Sequence, residues 1–164
     1  MKKIIVCFLV LVISILSLTA CDLTAQNKNS NSLKEISQTK EKLILYLPND
    51  MADGFLEKEV EIDKIEAQNI IDLLIENKAL PKGVKVNSFN IEENNTKKVV
   101  IIDLNSVFKE NISSTGTAGE MMLLGSVVNT MLKNYNADTL KLTCDGKILE
   151  TGHNIYDYPL EFFK

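Results

Sequence analysis

Cys21 closes the run Leu18-Thr19-Ala20-Cys21, directly behind an apolar stretch from Ile4 to Leu18 that is opened by Lys2 and Lys3. Two positive charges, an apolar segment and small residues ahead of a cut have the layout of a secretory signal peptide. A spanning helix needs roughly 20 apolar residues to cross the hydrocarbon core, and polar Asp22 follows too soon for that. The four residues resemble a lipobox, the signal at which bacteria attach diacylglycerol to the cysteine sulfur and cut before it. The chemistry expected at Cys21 is therefore lipidation. Each buried methylene of the acyl chains contributes about 0.8 kcal/mol, enough for two chains to anchor a protein that does not cross the membrane.

Other residue types invite other chemistry. Ser113-Ser114-Thr115-Gly116-Thr117-Ala118-Gly119-Glu120 is a small-residue loop running into a helix start, where free N–H groups and the dipole can receive an anion. It lacks the Lys-Ser or Lys-Thr of a phosphate loop. Thr117 and Glu120 stand three apart, as N-cap and N3 of a capping box do, so the spacing favours a cap, with ligand binding by Glu120 as the alternative. Asp103 follows the apolar run Val99-Val100-Ile101-Ile102, where a strand end can present a carboxylate to a cleft. A bond to nearby loop amides, as in an Asx-turn, is the favoured reading there.

His153 is the only histidine, and a hydrolytic centre would pair it with Asp145 or Asp157 and with a serine or Cys144 as nucleophile. Each of these residues has a simpler role: Cys144 shares the inward parity of Leu140 and Leu142, and Asp145 opens a tight turn. No catalytic residue is expected. One histidine with dispersed carboxylates does not supply the nitrogen and sulfur set of a zinc site, and no EF-hand loop is present, so no metal or cofactor is expected either.

Cutting before Cys21 removes Lys2 and Lys3 from the 18 basic residues, leaving 16 against 22 acidic ones, a net of −6 on 144 residues. An acidic surface argues against nucleic acid, which is bound through clustered Lys and Arg, and against a polybasic attachment to anionic lipid. All the basic residues are Lys, so phosphate or carboxylate cannot be gripped by a guanidinium. With Cys7 removed and Cys21 lipidated, Cys144 has no intramolecular partner, and the fold has to stand on its apolar core.

Residues 21–41 are polar, rich in Asn, Ser, Gln, Thr and Lys, and read as a tether, with a reach on the order of 25 Å. Residues 42–164 read as a single domain. Leu43 to Leu47 forms a first strand, ended by Pro48-Asn49-Asp50, and Phe55 to Ile62 a second. Asp63 and Glu66 suggest a capping box for a helix over 64–77, with Ala67, Ile70, Ile71 and Leu74 inward. A strand from Val84 to Ile91, a turn at Asn94-Asn95 and the two-sided strand at 99–102 follow. A second helix carries the stripe Met121, Leu124, Val128, Met131, Leu132 and Tyr135. Leu140, Leu142 and Cys144 precede the hairpin turn Asp145-Gly146, and the aromatic tail is expected to pack back on the domain. The order β-β-α-β-β-α-β-β predicts an α+β two-layer sandwich, a mostly antiparallel sheet with two helices on one face.

These pieces together resemble the GerMN domain family. The resemblance rests on Leu45-Tyr46-Leu47-Pro48, Glu59-Val60, Leu80-Pro81-Lys82-Gly83-Val84-Lys85-Val86 and Ile102-Asp103-Leu104-Asn105. It continues in Gly116-Thr117-Ala118-Gly119-Glu120, Asp145-Gly146-Lys147 and Gly152-His153-Asn154-Ile155 ahead of Pro159-Leu160. It implies a small α/β domain without known catalysis, in envelope lipoproteins that act in sporulation, germination or the cell envelope. The expected partners are therefore a membrane, reached through lipid on Cys21, and an envelope or spore-assembly protein. The alternative is a binder of a small ligand, a wall fragment or germinant, in a cleft involving Glu120 and Asp103.

Overall fold

A computed structural model describes residues 40–164. The expected signal peptide, Cys21 and the tether as far as residue 39 lie outside the described residues. The described chain is α+β with mostly antiparallel pairing, as expected.

Strands β1 (Glu41–Pro48) and β2 (Phe55–Ile62) form an antiparallel hairpin with Leu43 opposite Val60 and Leu47 opposite Leu56. Alternation sends Leu43 and Leu45 into the core, both fully buried. The turn is held by Asn49, whose Nδ2 donates to Asp53 Oδ1 at 2.8 Å and whose Oδ1 accepts from the Asp53 N–H at 3.2 Å. This hairpin is a sheet of its own.

Helix α1 (Ala67–Glu76) buries Ala67, Ile70, Ile71 and Leu74 at the expected spacing. It starts three residues later than the sequence suggests, and the Asp63/Glu66 box does not form: Glu66 itself is the N-cap and makes no side-chain cap bond. One tertiary and one local interaction compete with the box. Glu41 Oε2 accepts the Ile65 N–H at 2.7 Å, and Lys64 pairs with Glu66 at 2.6 Å. At its exit, Lys78 takes φ 62°, and the N–H groups of Ala79 and Leu80 both return to Leu74 O. Glycine normally fills this left-handed position, where a side chain costs roughly 1–2 kcal/mol.

The second sheet has the order β3-β4-β5-β6-β7, made of β3 (Val86–Glu93), β4 (Lys98–Leu104), β5 (Thr139–Cys144), β6 (Lys147–Glu150) and β7 (Ile155–Tyr156). Asn94 builds the β3–β4 turn, its Oδ1 accepting from the Thr96 N–H, the Thr96 hydroxyl and the Lys97 N–H. Asp145 and Gly146 both have positive φ, 48° and 70°, the backbone an Asp-Gly hairpin turn requires. The β4–β5 pair is parallel, so a crossover must connect it. That crossover contains a helix not expected from the sequence, α2 (Ser106–Ser113), which buries Phe108 and Ile112, followed by α3 (Thr117–Tyr135).

Helix α3 is the centre of the domain. Every residue from Leu124 to Leu132 is buried, which requires cover on all its faces, and it packs against β1, α1, α2, β4 and β5. The expected stripe holds from Leu124 onward, but Met121 is 44% exposed while neighbouring Met122 is buried. Gly125 permits the closest approach: a Cβ there would lie 2.3 Å from Phe55 Cζ.

Four residues that would read as a solvent face, Ser126, Asn129, Thr130 and Asn134, are turned inward or half-buried. Three of them, Asn129, Thr130 and Asn134, satisfy backbone groups that β1 and the tail leave unpaired. Thr130 Oγ1 accepts the Tyr46 N–H at 3.0 Å, and Asn134 both accepts the Ile44 N–H at 2.9 Å and donates to Ile44 O at 2.7 Å. Asn129 grips Phe163 in the same two-point way, at 2.9 and 2.8 Å. The tail does pack back: Leu160 bridges to Leu140, and Phe162 meets Tyr46 edge to face at 5.0 Å. Ser126 Oγ is buried without a hydrogen-bond partner.

Candidate functional site

The carboxylate of Glu120 is 1% exposed. Its position follows from the start of α3, where Gly116 is the N-cap and Thr117 already lies inside the helix. The expected Thr117/Glu120 box is therefore absent. The Glu120 N–H donates to Gly116 O at 2.9 Å, while its side chain turns away toward β7. There Oε1 accepts from the Tyr156 hydroxyl at 2.5 Å and from Asn154 Nδ2 at 3.0 Å. Oε2 is buried and has no hydrogen-bond partner.

The donors are delivered by the turn between β6 and β7. Thr151 Oγ1 accepts from the N–H groups of His153 and Asn154, and the Thr151 N–H donates to Asn154 O at 2.9 Å. That closes a tight loop and aims Asn154 at Glu120. Tyr156 sits opposite Leu149 in the register.

Burial by itself would raise the Glu120 pKa. The hydrogen bonds from Tyr156 and Asn154, with the charge of His153, outweigh it and hold the carboxyl below its ordinary value. A first-turn position adds the favourable field of the helix dipole. Burial and the bond to Glu120 push the Tyr156 hydroxyl well above the usual phenol range. At neutral pH the pair is thus a fixed anion and a fixed donor, suited to holding a position or a ligand and not to exchanging protons.

Asp103 lies in a second network. Its Oδ1 accepts from the Thr143 hydroxyl at 2.5 Å and from the Gly146 N–H at 2.8 Å, and its Oδ2 from Asn87 Nδ2 at 2.9 Å. Asn87 Nδ2 also reaches Leu104 O and Asp145 Oδ1. The favoured Asx-turn is replaced by a tie across β3, β4, β5 and the Asp145-Gly146 turn. Burial opposes ionisation here too, and the bonds from Thr143, Asn87 and Gly146 overcome it, so the pKa is lowered. The two networks share no residue, so the hydrogen bonding does not join Asp103 and Glu120 in one site.

Cys144 is 3% exposed, and burial pushes its thiol up to about 12, with the charges of Asp103 and Asp145 acting in the same direction. It is a core residue, as its parity predicts, and its neutral thiol is no nucleophile. Among the described residues, no group of three or more His, Cys, Asp or Glu is arranged to hold a metal ion, and no helix is long and apolar enough to cross a membrane. Sequence reasoning missed Tyr156 and Asn154 as partners of Glu120. Their only signal was the Thr151-Gly152-His153-Asn154 turn that returns the chain to the helix start.

A family profile described as "Germane: Sporulation and spore germination" matches residues 44–150, from β1 to the end of β6. The Asn154 and Tyr156 that hold Glu120 lie just beyond the matched span. No curated protein matches. Among solved structures, the first GerMN domain of the sporulation protein GerM from Bacillus subtilis is similar at 19% identity. The match covers 74% of this chain and 97% of that one with a TM-score of 0.52. A candidate lipoprotein from Clostridium perfringens is 22% identical over 74% of this chain and 87% of that one, TM-score 0.48. The tandem GerMN domains of the same Bacillus subtilis protein are 19% identical, and the match covers 84% of this chain and 49% of that one, TM-score 0.48. The fold is therefore that of a GerMN domain, and the chain belongs to the Germane family of sporulation and spore germination domains.

Proposed function

We infer that this protein is a lipoprotein held by lipid on Cys21 at the outer face of a membrane, where its domain binds an envelope or spore-assembly protein and carries out no catalysis. Membership of the Germane family carries the sporulation or germination context, and the signal segment ending in Leu18-Thr19-Ala20-Cys21 supports the anchor. A binding role agrees with the state of the reactive groups. Glu120 is held ionised, Tyr156 and Cys144 are held protonated, and both oxygens of Asp103 are occupied by donors. None of these is poised to take up and release a proton near neutral pH.

The test is crosslinking in sporulating cells followed by recovery of the tagged full chain. The reading expects an envelope protein to be recovered, and expects Cys21→Ala to release the chain from the membrane or leave it with its signal uncut. Recovery of no envelope partner, or a Cys21→Ala protein that stays cut and membrane-bound, would overturn it. A second reading is favoured by one observation: Glu120 Oε2 is buried without a partner, as an oxygen reserved for a donor on a small ligand would be. Wall fragments and nutrients would then raise the melting temperature of the wild-type protein and not of Glu120→Gln.

A further inference from the structure

The exit of α1 and the corner between α2 and α3 enclose a cleft of about 350 Å³, within the range of clefts that hold ligands. It is lined by apolar Ile75, Leu80, Pro81 and Leu123, by Lys78 and Lys82, and by Asn111, Ser114 and Thr115. We propose that this cleft docks a short segment of a partner protein in which acidic and apolar residues alternate. The proposal rests on the interaction-module reading and names the chemistry of the partner.

Charge is the first argument. On a chain of net charge −4, Lys42 and Lys64 are paired with Glu59 and Glu66, and Lys58 donates to Asn77 Oδ1. Lys78 and Lys82, like most lysines among the described residues, make no side-chain hydrogen bond or ion pair; what sets them apart is that both line this cleft. Glu76 and Glu110, the acidic residues nearest in sequence, are not among the residues lining the cleft. Two unspent cations beside an apolar floor complement a carboxylate on an apolar segment.

The polar lining says what carries that carboxylate. Asn111 Nδ2 donates to Val107 O, the Ser114 hydroxyl to Asn111 O and the Thr115 hydroxyl to Ile112 O, all within the chain. Asn111 Oδ1 and the two hydroxyl oxygens keep their acceptor lone pairs. Acceptors and cations around the same apolar lining fit an extended peptide, whose N–H groups answer the acceptors and whose acidic side chains answer the lysines. An apolar acid without N–H groups would leave the acceptors unused.

The full chain in detergent micelles can be titrated with three fluorescein-labelled peptides, Leu-Glu-Leu-Asp-Leu, Leu-Ser-Leu-Ser-Leu and Leu-Lys-Leu-Lys-Leu, followed by anisotropy. Only the acidic peptide is expected to bind. Its Kd should rise at least tenfold in K78E/K82E, whose melting temperature should not change because both side chains are exposed, and should stay within twofold in the remote control K141E/K147E. Equal binding of the serine peptide, retained affinity in K78E/K82E, or an equal loss in K141E/K147E would overturn the proposal. Crosslinking in sporulating cells separates the two levels. If K78E/K82E recovers the same envelope partner as wild type, this cleft is not the docking site while the module reading stands. If wild type recovers none, the module reading itself fails.

Discussion

Replacing Glu120 with glutamine keeps the size of the side chain and exchanges its charged carboxylate for a neutral amide, which tests what the ionised carboxylate contributes to the domain. In the wild type Oε1 accepts from Tyr156 at 2.5 Å and from Asn154 at 3.0 Å in a site that is 1% exposed. A hydrogen bond to a charged group contributes about 1.5–3 kcal/mol and a neutral one about 0.5–1.5 kcal/mol. Two such bonds lose roughly 2–3 kcal/mol between them, and relief of the buried charge offsets part of that. The expected net destabilisation is roughly 1–2 kcal/mol at pH 7. The pH dependence gives the sharper test. Because the folded pKa of Glu120 is lowered, its contribution is complete above the unfolded carboxylate pKa and disappears as pH falls through the folded value. The gap between wild type and Glu120→Gln in urea unfolding should therefore be widest at pH 7 and shrink toward pH 3. Equal stabilities at pH 7, or a gap that persists undiminished at pH 3, would refute the assignment of Glu120 as an ionised anchor for β7.

Thr130→Val keeps the shape and removes the acceptor of the Tyr46 N–H; it should cost roughly 1–3 kcal/mol, and Thr130→Ser much less, as measured by urea denaturation. Gly125→Ala sets about 1 kcal/mol of gained helix propensity against overpacking of about 1–3 kcal/mol on Phe55. The net should be destabilising in wild type and change sign in a Phe55→Ala background. Lys78→Gly relieves the left-handed backbone and should stabilise the domain by roughly 0.5–1 kcal/mol while weakening capture of the acidic peptide. Cys144 should resist iodoacetamide at pH 8 in the native protein, since burial keeps its thiol protonated up to about 12, and react once urea is added.

Local interactions made much of the fold readable. Strand alternation at Leu43 and Leu45, the spacing of Ala67, Ile70, Ile71 and Leu74, the Asp145-Gly146 turn and the inward parity of Cys144 each depend on residues a few positions apart. Errors arose where a distant partner outbid a neighbour. Glu66 and Glu120 have the spacing of capping residues, yet Glu41 takes the Ile65 amide from 24 positions away, and Glu120 turns to residues 34 and 36 positions away. Helix α2 was missed because only Phe108 and Ile112 mark its inner face in eight residues, too short a stretch for a clear period.

By itself the sequence determined the acidic, Arg-free composition, the α+β class and the family pattern, all carried by composition or by contiguous motifs, and it is the basis of the proposed lipidation at Cys21. Only the tertiary structure decided what the polar residues do. Asn129, Thr130 and Asn134 have the helical spacing of a wet face, yet they are drawn inward because β1 and the tail bring unpaired backbone groups to α3. Lys78, Lys82, Asn111 and Thr115 come to line one cleft for a related reason. A hydrogen bond or a charge acts on whatever the fold brings within a few ångströms, and spacing along the chain records that only when the partner is local.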